Sequence, residues 1–439
     1  MRTEMLDVLE SNILRFWLDK MQDPDNGGFY GRMDGHLRLY PEAEKGAILN
    51  ARILWSFSAA YRVLSHLSSH TPHLAEYLDA ATRAKDYILD HFIDREYGGV
   101  YWSLDSQGNP KDTKKQFYAI GFAIYGLSEY ARATGDREAL DYALMLYDCI
   151  EEHAFDSTHN GYIEACNREW GEIADMRLSE LDANYPKSQN THLHIIEPYT
   201  NLYRCLKEFQ EAESPNCNYV TAIGTVLPMG ITVNQETISK VEASLRNLIN
   251  IFTDKILNPE THHLDLFFDM DWTRGDSQWE SYGHDIECSW LLHEAALVIR
   301  DKKVLEKVEP IVLMVAVASA KGLRPDGSMV HEGCAELPLS VHPAPLTAKA
   351  DNDLHWWVQA ENVVGWLNIY QYFGNEDALQ KANDCWEYIK KNLIDYEHGE
   401  WYWSRREDGS LNLDDDHAGF WKCPYHNSRM CLETIERFA

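Results

Sequence analysis

Six times along this chain, a turn rich in Gly, Asn or Asp opens a short aromatic alternation. The copies are Asp25-Asn-Gly-Gly-Phe-Tyr, Tyr97-Gly-Gly-Val-Tyr-Trp, His159-Asn-Gly-Tyr-Ile, Thr261-His-His-Leu-Asp-Leu-Phe-Phe, Pro325-Asp-Gly-Ser-Met-Val and Glu397-His-Gly-Glu-Trp-Tyr-Trp. Five of the six contain glycine, which supplies the positive φ of a tight turn at no steric cost. Successive copies lie about 60 to 70 residues apart, with one interval of about 100, which leaves room for two helices and their links. That period is too long for a solenoid of single strands. It describes one helical pair per unit, repeated around a ring.

Apolar periodicity near 3.6 predicts helices at about 3–21, 45–68, 72–93, 113–133, 137–154, 188–209, 236–257, 281–300, 303–320, 353–373, 376–393 and 427–438. Each aromatic turn follows an odd helix and precedes an even one. The even helices, such as Ala47-Ile-Leu-Asn-Ala-Arg-Ile-Leu-Trp-Ser-Phe, are apolar on most sides, as a helix buried between layers must be. The odd ones, such as Asp377-Ala-Leu-Gln-Lys-Ala-Asn-Asp-Cys-Trp-Glu-Tyr, keep one polar face. The expected fold is therefore all-α, an (α/α)6 barrel of six inner and six outer helices with short aromatic hairpins at the mouth. It is expected as a single domain over 1–439. One stretch breaks the rhythm, from about Ala212 to Gln235, with a β-branched run. Removing about 30 residues there restores the common interval, so it reads as an insertion, a small hairpin or an association surface.

Charge narrows the partners. Forty basic residues against 70 acidic ones give a net charge of −30, a surface that repels nucleic acid and anionic lipid. Neutral polar substrates remain open, and 14 Trp residues offer flat faces for sugars or heterocycles as well as for packing. Nine cysteines lie scattered without zinc-type spacing. The N-terminal residues form an acidic amphipathic stretch without an apolar leader core, and no segment approaches the length of a membrane span. A soluble, reduced, cytoplasmic protein is expected, a monomer or a weak homo-oligomer.

In such a barrel the first turns of the inner helices face one mouth, and the unusual residues of this sequence fall there: Arg52, Tyr118, His194, His284 with Glu287, Glu361 and His426. One buried polar group is ordinarily a satisfied core residue. Six at matching positions are hard to explain by packing, because burying charge without partners is costly. Three are histidines, able to take and return a proton near neutral pH. Glu287, one turn after His284, and Glu361 across the mouth are placed to raise or orient them. A metal reading would recruit His192 and His194, but no HExxH-type ligand pair supports it. A nucleophile reading lacks a GxSxG elbow, and Cys423 and Cys431 sit among apolar neighbours.

Five stretches then carry a resemblance: Arg52-Ile-Leu-Trp-Ser-Phe-Ser, Asn190-Thr-His-Leu-His-Ile-Ile-Glu, Gly283-His-Asp-Ile-Glu-Cys-Ser-Trp, Trp356-Trp-Val-Gln-Ala-Glu and Trp421-Lys-Cys-Pro-Tyr-His-Asn. In that order they resemble the N-acylglucosamine 2-epimerase superfamily, most closely its cellobiose 2-epimerase branch, over nearly the whole chain outside the insertion. The resemblance implies an enzyme that inverts C2 of the reducing-end sugar in a β-1,4-linked disaccharide, cellobiose or mannobiose. It implies His284 and His426 as the acid/base pair on C2, His194 for ring opening and Arg52 for holding the sugar oxygens. Glu287 and Glu361 would orient the histidines, and Trp357 and Trp421 would wall the pocket. Tyr118, Ser179, Asp182, Asn190 and Trp290 would complete its lining.

The chemistry is consistent with those residue types. Epimerisation at C2 needs an open-chain aldehyde, whose carbonyl acidifies the adjacent C–H. Two bases on opposite faces remove and return the proton, each contributing roughly 10²–10⁴-fold. A guanidinium stabilises the developing enediolate. Neither a metal nor another cofactor is required. The rivals are an aldose–ketose isomerase, a glycoside hydrolase with two carboxylates flanking the scissile bond, and a carbohydrate-binding protein without chemistry.

Overall fold

The computed structural model describes residues 1–67, 73–180, 182–212, 233–275, 277, 279–334 and 350–438. Its helices fall in six pairs. The outer ones are α1 (2–20), α3 (Leu74–Tyr87), α5 (Arg137–His153), α7 (Gln235–Ile251), α9 (Lys302–Ser319) and α11 (Glu376–Asn392). The inner ones are α2 (Ala47–Ser65), α4 (Phe117–Thr134), α6 (Gln189–Ala212), α8 (Tyr282–Ile299), α10 (Trp356–Phe373) and α12 (Tyr425–Arg437). Inner helices pack in chain order, α2 on α4 through to α12, which closes back on α2. Each outer helix covers an inner one from outside, α1 covering α12. The chain is thus an (α/α)6 barrel, as its period predicts.

Burial follows the two patterns. Helix α2 buries almost every side chain, whereas α11 buries Ala378, Ala382, Cys385, Trp386, Tyr388 and Ile389, an i, i+3/i+4 stripe, and leaves the rest partly or fully exposed. Part of the tryptophan surplus is packing: Trp17, Trp290, Trp386 and Trp401 are fully buried.

The six aromatic turns are the six outer-to-inner connections, closed by the antiparallel bridges Gln22–Phe29, Ile93–Val100, Phe155–Tyr162, Leu257–Leu264, Leu323–Met329 and Ile394–Trp401. The strand entering an inner helix then pairs with the hairpin of the following unit: Lys45–Gly46 with Ser103–Leu104, Lys115–Gln116 with Ala165–Cys166, and Lys187–Ser188 with Phe267–Phe268. Trp279–Ser281 pairs with Glu332–Cys334 and Leu354–His355 with Ser404–Arg405, and a bridge from Met33 to Ala418 joins the last unit to the first. In the turn without glycine, His262 takes the left-handed conformation at φ 64°. For a residue with a Cβ that conformation costs roughly 1–2 kcal/mol, which the closed ring must hold.

Three connections share a buried ion pair. Lys45, Lys115 and Lys187, each at the start of an entry strand, reach Asp23, Asp94 and Asp156 at 2.8, 2.9 and 2.9 Å. Each ammonium also donates to a turn carbonyl, Gly27, Gly98 or Asn160. Each carboxylate accepts two backbone N–H groups of its turn. A buried pair satisfied in this way fixes geometry more than it adds stability. Here it fixes where the inner helices begin, and so the level at which their first turns sit.

The insertion expected at about 212–235 falls, over 213–232, outside the described residues. Eight described cysteines are free thiols. Among the described residues no helix is long and apolar enough to cross a membrane.

Candidate active site

The polar residues of the inner helices converge at the hairpin end. Arg52 and Tyr118 meet directly, the Arg52 guanidinium donating to the Tyr118 hydroxyl at 2.8 Å. The same guanidinium lies over the rings of Phe122 and Tyr425, 4.1 and 4.7 Å from their centroids. Among the described residues no carboxylate bonds to it. Aromatic faces therefore hold the cation in place while its donors stay available for oxygen atoms.

His194 owes its position to Pro198. A proline has no N–H to give the carbonyl four residues back, and the helix bends where that bond is missing, with His194 at φ −91°, ψ 15°. Gly121 on α4 accommodates the displaced carbonyl: a Cβ there would lie 2.4 Å from the His194 oxygen. The His194 Nδ1 then meets Glu197 Oε2 at 2.9 Å, and its ring stands edge-on to Tyr118 at 4.8 Å. His192, two residues earlier, turns away. Its Nδ1 meets the Ser188 carbonyl and its Nε2 accepts the Tyr162 N–H, so both nitrogens are used in structure. The His192/His194 pair therefore does not converge on one ion.

Arg429 sits at the centre of the barrel floor, fully buried, and bonds three carboxylates from three inner helices. It contacts Glu197, reaches Glu287 Oε1 at 2.6 Å and reaches Glu361 Oε1 at 2.7 Å. Tyr425 adds a hydroxyl to Glu197. Glu361 in turn receives His426 Nδ1 at 2.7 Å and the Trp290 indole N–H at 2.9 Å. Glu287, Glu361 and His426 bring ligand-type atoms within 4.8 Å of one another, but the Arg429 guanidinium already supplies the positive charge among them.

Glu287 therefore serves Arg429 rather than His284. The His284 Nδ1 pairs instead with Ser281 Oγ at 2.8 Å, and the His284 ring packs on Trp357 at 4.9 Å. His426 approaches the same indole at 5.6 Å, so Trp357 is shared by the two imidazoles. The sequence predicts carboxylates that raise or orient the histidines: Glu361 holds His426 at Nδ1, and burial outweighs any raising. Desolvation drives His284 well below the ordinary histidine range, reinforced by the charges of His331, His194 and His426. It drives His426 well below it too, reinforced by Arg52 and Arg429. His194 is also lowered, burial outweighing Glu197. Burial and the charge of Glu361 push Glu287 well above the usual carboxylate range. The imidazoles are thus neutral near pH 7, and a carboxylate on Nδ1 leaves Nε2 of His426 and His194 as the basic nitrogen.

The remaining predicted residues separate into four groups. Trp357 and Trp421 are half-buried. A cavity of about 520 Å³ opens beside Trp421, lined also by Trp102, Phe420, Ser179 and Lys114. Ser179 and Asp182 pair with each other, both the Ser179 N–H and its hydroxyl donating to Asp182. Asn190, in the first turn of α6, has a carboxamide oxygen with no partner among the described residues. Trp290 is fully buried behind Glu361, and there it supports the carboxylate rather than lining the cavity.

Sequence reasoning missed Arg429, Glu197, Tyr425, Ser281 and Trp102. Two had a signal: Glu197 follows His194 at i+3, the spacing noted for His284 and Glu287, and Arg429 follows His426 at i+3.

Comparison with known proteins places the chain in a family. The family model of N-acylglucosamine 2-epimerase (GlcNAc 2-epimerase) matches residues 28–200 and 231–429. A cellobiose 2-epimerase of Bacteroides fragilis is 53% identical over 99% of this chain and 98% of its own length. One of Ruminococcus albus is 37% identical over 100% of this chain and 99% of its own. The solved cellobiose 2-epimerase of Bacillus thermoamylovorans B4167 superposes with a TM-score of 0.83 at 37% identity, covering 99% of this chain and 98% of that one. With its barrel, its mouth residues and these matches along nearly its full length, the chain belongs to the N-acylglucosamine 2-epimerase family.

Proposed function

We propose that this protein is a 2-epimerase of β-1,4-linked disaccharides, inverting C2 of the reducing-end sugar of cellobiose or mannobiose through an enediolate. The observation that carries the proposal is the pair of neutral imidazoles, His284 and His426, packed on one indole and each anchored through Nδ1. Full-length relatives named cellobiose 2-epimerase support the substrate class.

In this scheme His194 assists opening of the sugar ring, its Nε2 basic because Glu197 holds Nδ1. The open-chain aldehyde lies against Trp357. One of His284 and His426 removes the C2 proton, and charge moves onto O1 and O2. Arg52 faces that charge with a bidentate donor set, worth most where water is excluded. The other imidazole takes up a proton from solvent and gives it to the opposite face of C2, and the first then releases the proton it removed to water. Arg429 and its carboxylates act one layer below, orienting His426 through Glu361 and His194 through Glu197. A hydrolase is disfavoured by geometry. Glu287 and Glu361 face the same guanidinium nitrogen, and both are fully buried, whereas hydrolysis needs two carboxylates on either side of a bond.

Turnover in D₂O tests the route. Imidazole protons exchange with solvent, so deuterium should enter C2 of the product's reducing-end sugar, while C1, C3 and the non-reducing sugar stay unlabelled by NMR. Epimer without C2 label rejects the two-base route, and label at C1 with ketose formation moves the assignment to an aldose–ketose isomerase.

The histidine shifts make a second expectation. The reactive base must be neutral, and kcat/KM reports the free enzyme's groups. Because burial holds His284 and His426 below 6.5, activity should persist as pH falls through 6.5 and decline only below it. A pH–rate profile whose acid limb is centred at or above 6.5 would contradict neutral, desolvated histidines.

A further inference from the structure

A second group of histidines, outside the proton-transfer machinery, stands at the rim of the mouth. His331 precedes the Glu332–Cys334 strand, and His355 ends the Leu354–His355 strand and caps α10. Asp351 lies between them, tied to the first strand by the Glu332 N–H, which donates to its carbonyl. We propose that His331, Asp351 and His355 form a binding site for one divalent cation of the zinc class.

Donor type, spacing, access and support all point to it. Two imidazoles and one carboxylate are a set that zinc accepts in three of its four tetrahedral positions, leaving the fourth for water. Bonds of about 2.0–2.1 Å place tetrahedral ligand atoms about 3.3 Å apart. Asp351 Oδ2 lies 3.2 Å from His331 Nδ1 and 2.8 Å from His355 Nε2, and all three donor atoms fall within 4.8 Å of one another. The side chains of His331 and His355 are 19% and 12% exposed and that of Asp351 40%, so an ion can enter. The carboxylate is oriented through its other oxygen, which accepts the Asp353 N–H at 3.0 Å, the outer support a ligating carboxylate commonly has. A competing ammonium or guanidinium, such as Arg429 supplies in the inner cluster, is not bonded to this triad among the described residues.

The site also touches the wall of the mouth. The His331 ring stands edge-on to Trp357 at 5.3 Å, and the same indole packs on His284 at 4.9 Å. Positive charge at the position of His331 lowers the proton affinity of His284. A doubly charged ion there lowers it further, so occupancy should slow turnover. That coupling rests on the role proposed for His284, whereas the binding itself does not.

Isothermal titration of ZnCl₂ into the metal-stripped protein near neutral pH tests the site. The expected result is one zinc per chain, weakened at least about tenfold in the isosteric Asp351→Asn and abolished in His331→Ala/His355→Ala. In His426→Asn it should be unchanged. Assayed alongside, the wild type should lose activity in zinc and regain it with EDTA, while the double variant should keep its own zinc-free rate. No saturable binding to the wild type, or binding equally strong in Asp351→Asn and the double variant, overturns the site. Binding lost only in His426→Asn also overturns it, by moving the ion to the inner cluster. A metal-bound triad with zinc-insensitive turnover would uphold the site and remove only its coupling to His284.

Discussion

Replacing His426 or His284 with Asn should lower turnover by roughly 10²–10⁴-fold while leaving the circular dichroism spectrum and melting temperature near those of the wild type. Asparagine is the informative choice because its side-chain amide can occupy the place of Nδ1. At position 426 it can still donate to Glu361, and at 284 it can still meet Ser281 Oγ, so the hydrogen bonds that fix each site survive. What disappears is the second nitrogen. The proposed scheme then makes a prediction that a merely structural role does not. With one base missing, the other can still remove and return the proton on its own face. Each variant should therefore exchange C2 deuterium into only one of the two epimeric disaccharides, the two variants choosing opposite epimers, with almost no net inversion. Equal exchange into both epimers by either variant, or inversion retained at more than about a hundredth of the wild-type rate, would take that histidine out of the pair. The double variant should be little slower than the worse single one, since residues acting as a unit do not lose their contributions additively.

The barrel was legible because its information is periodic. An inner helix such as α2 must be apolar on all sides and an outer one such as α11 must not, and no tertiary detail is needed to see the difference. The aromatic turns were legible for a similar reason, glycine marking the positive φ in five copies. The copy without glycine kept its place only because His262 accepts the same conformation inside a closed ring. The site was legible as a list of residues at matching depth, less so as a set of partnerships. Spacing assigns Glu287 to His284, since i+3 neighbours share a face. It cannot show that Arg429, 142 positions away, takes that carboxylate instead. Nor can it show that Trp290 turns its indole N–H to Glu361 rather than to the cavity. Direction of titration was misread for the same reason. A carboxylate neighbour is visible in the sequence, but the full burial that outweighs it at His194 is not.

Arg429→Met should be the most destabilising single substitution at the site. The side chain is buried to zero exposure, and methionine matches much of its length and packing against Trp290 and Tyr425. The variant therefore removes a charge more than a volume. Left behind are Glu197, Glu287 and Glu361, all buried, without the cation they share. Breaking a buried ionic cluster by removing one partner typically costs about 3–5 kcal/mol, because the remaining charges can neither reach water nor pair. Urea unfolding at neutral pH should show a loss of that order. Two further measurements separate charge from packing. Protonation relieves like-charge repulsion, so the penalty should shrink as pH falls and Glu287, already raised by burial and by Glu361, takes a proton. Removing one carboxylate chemically should act the same way: Arg429→Met/Glu287→Gln should be more stable than Arg429→Met alone, although Glu287→Gln by itself removes a bond. A coupling of about 1–3 kcal/mol in that double-mutant cycle is expected for contacting members of one network. A pH-independent loss with no coupling would mean that Arg429 fills space, and the orientation of His426 and His194 would then have to come from their carboxylates unaided.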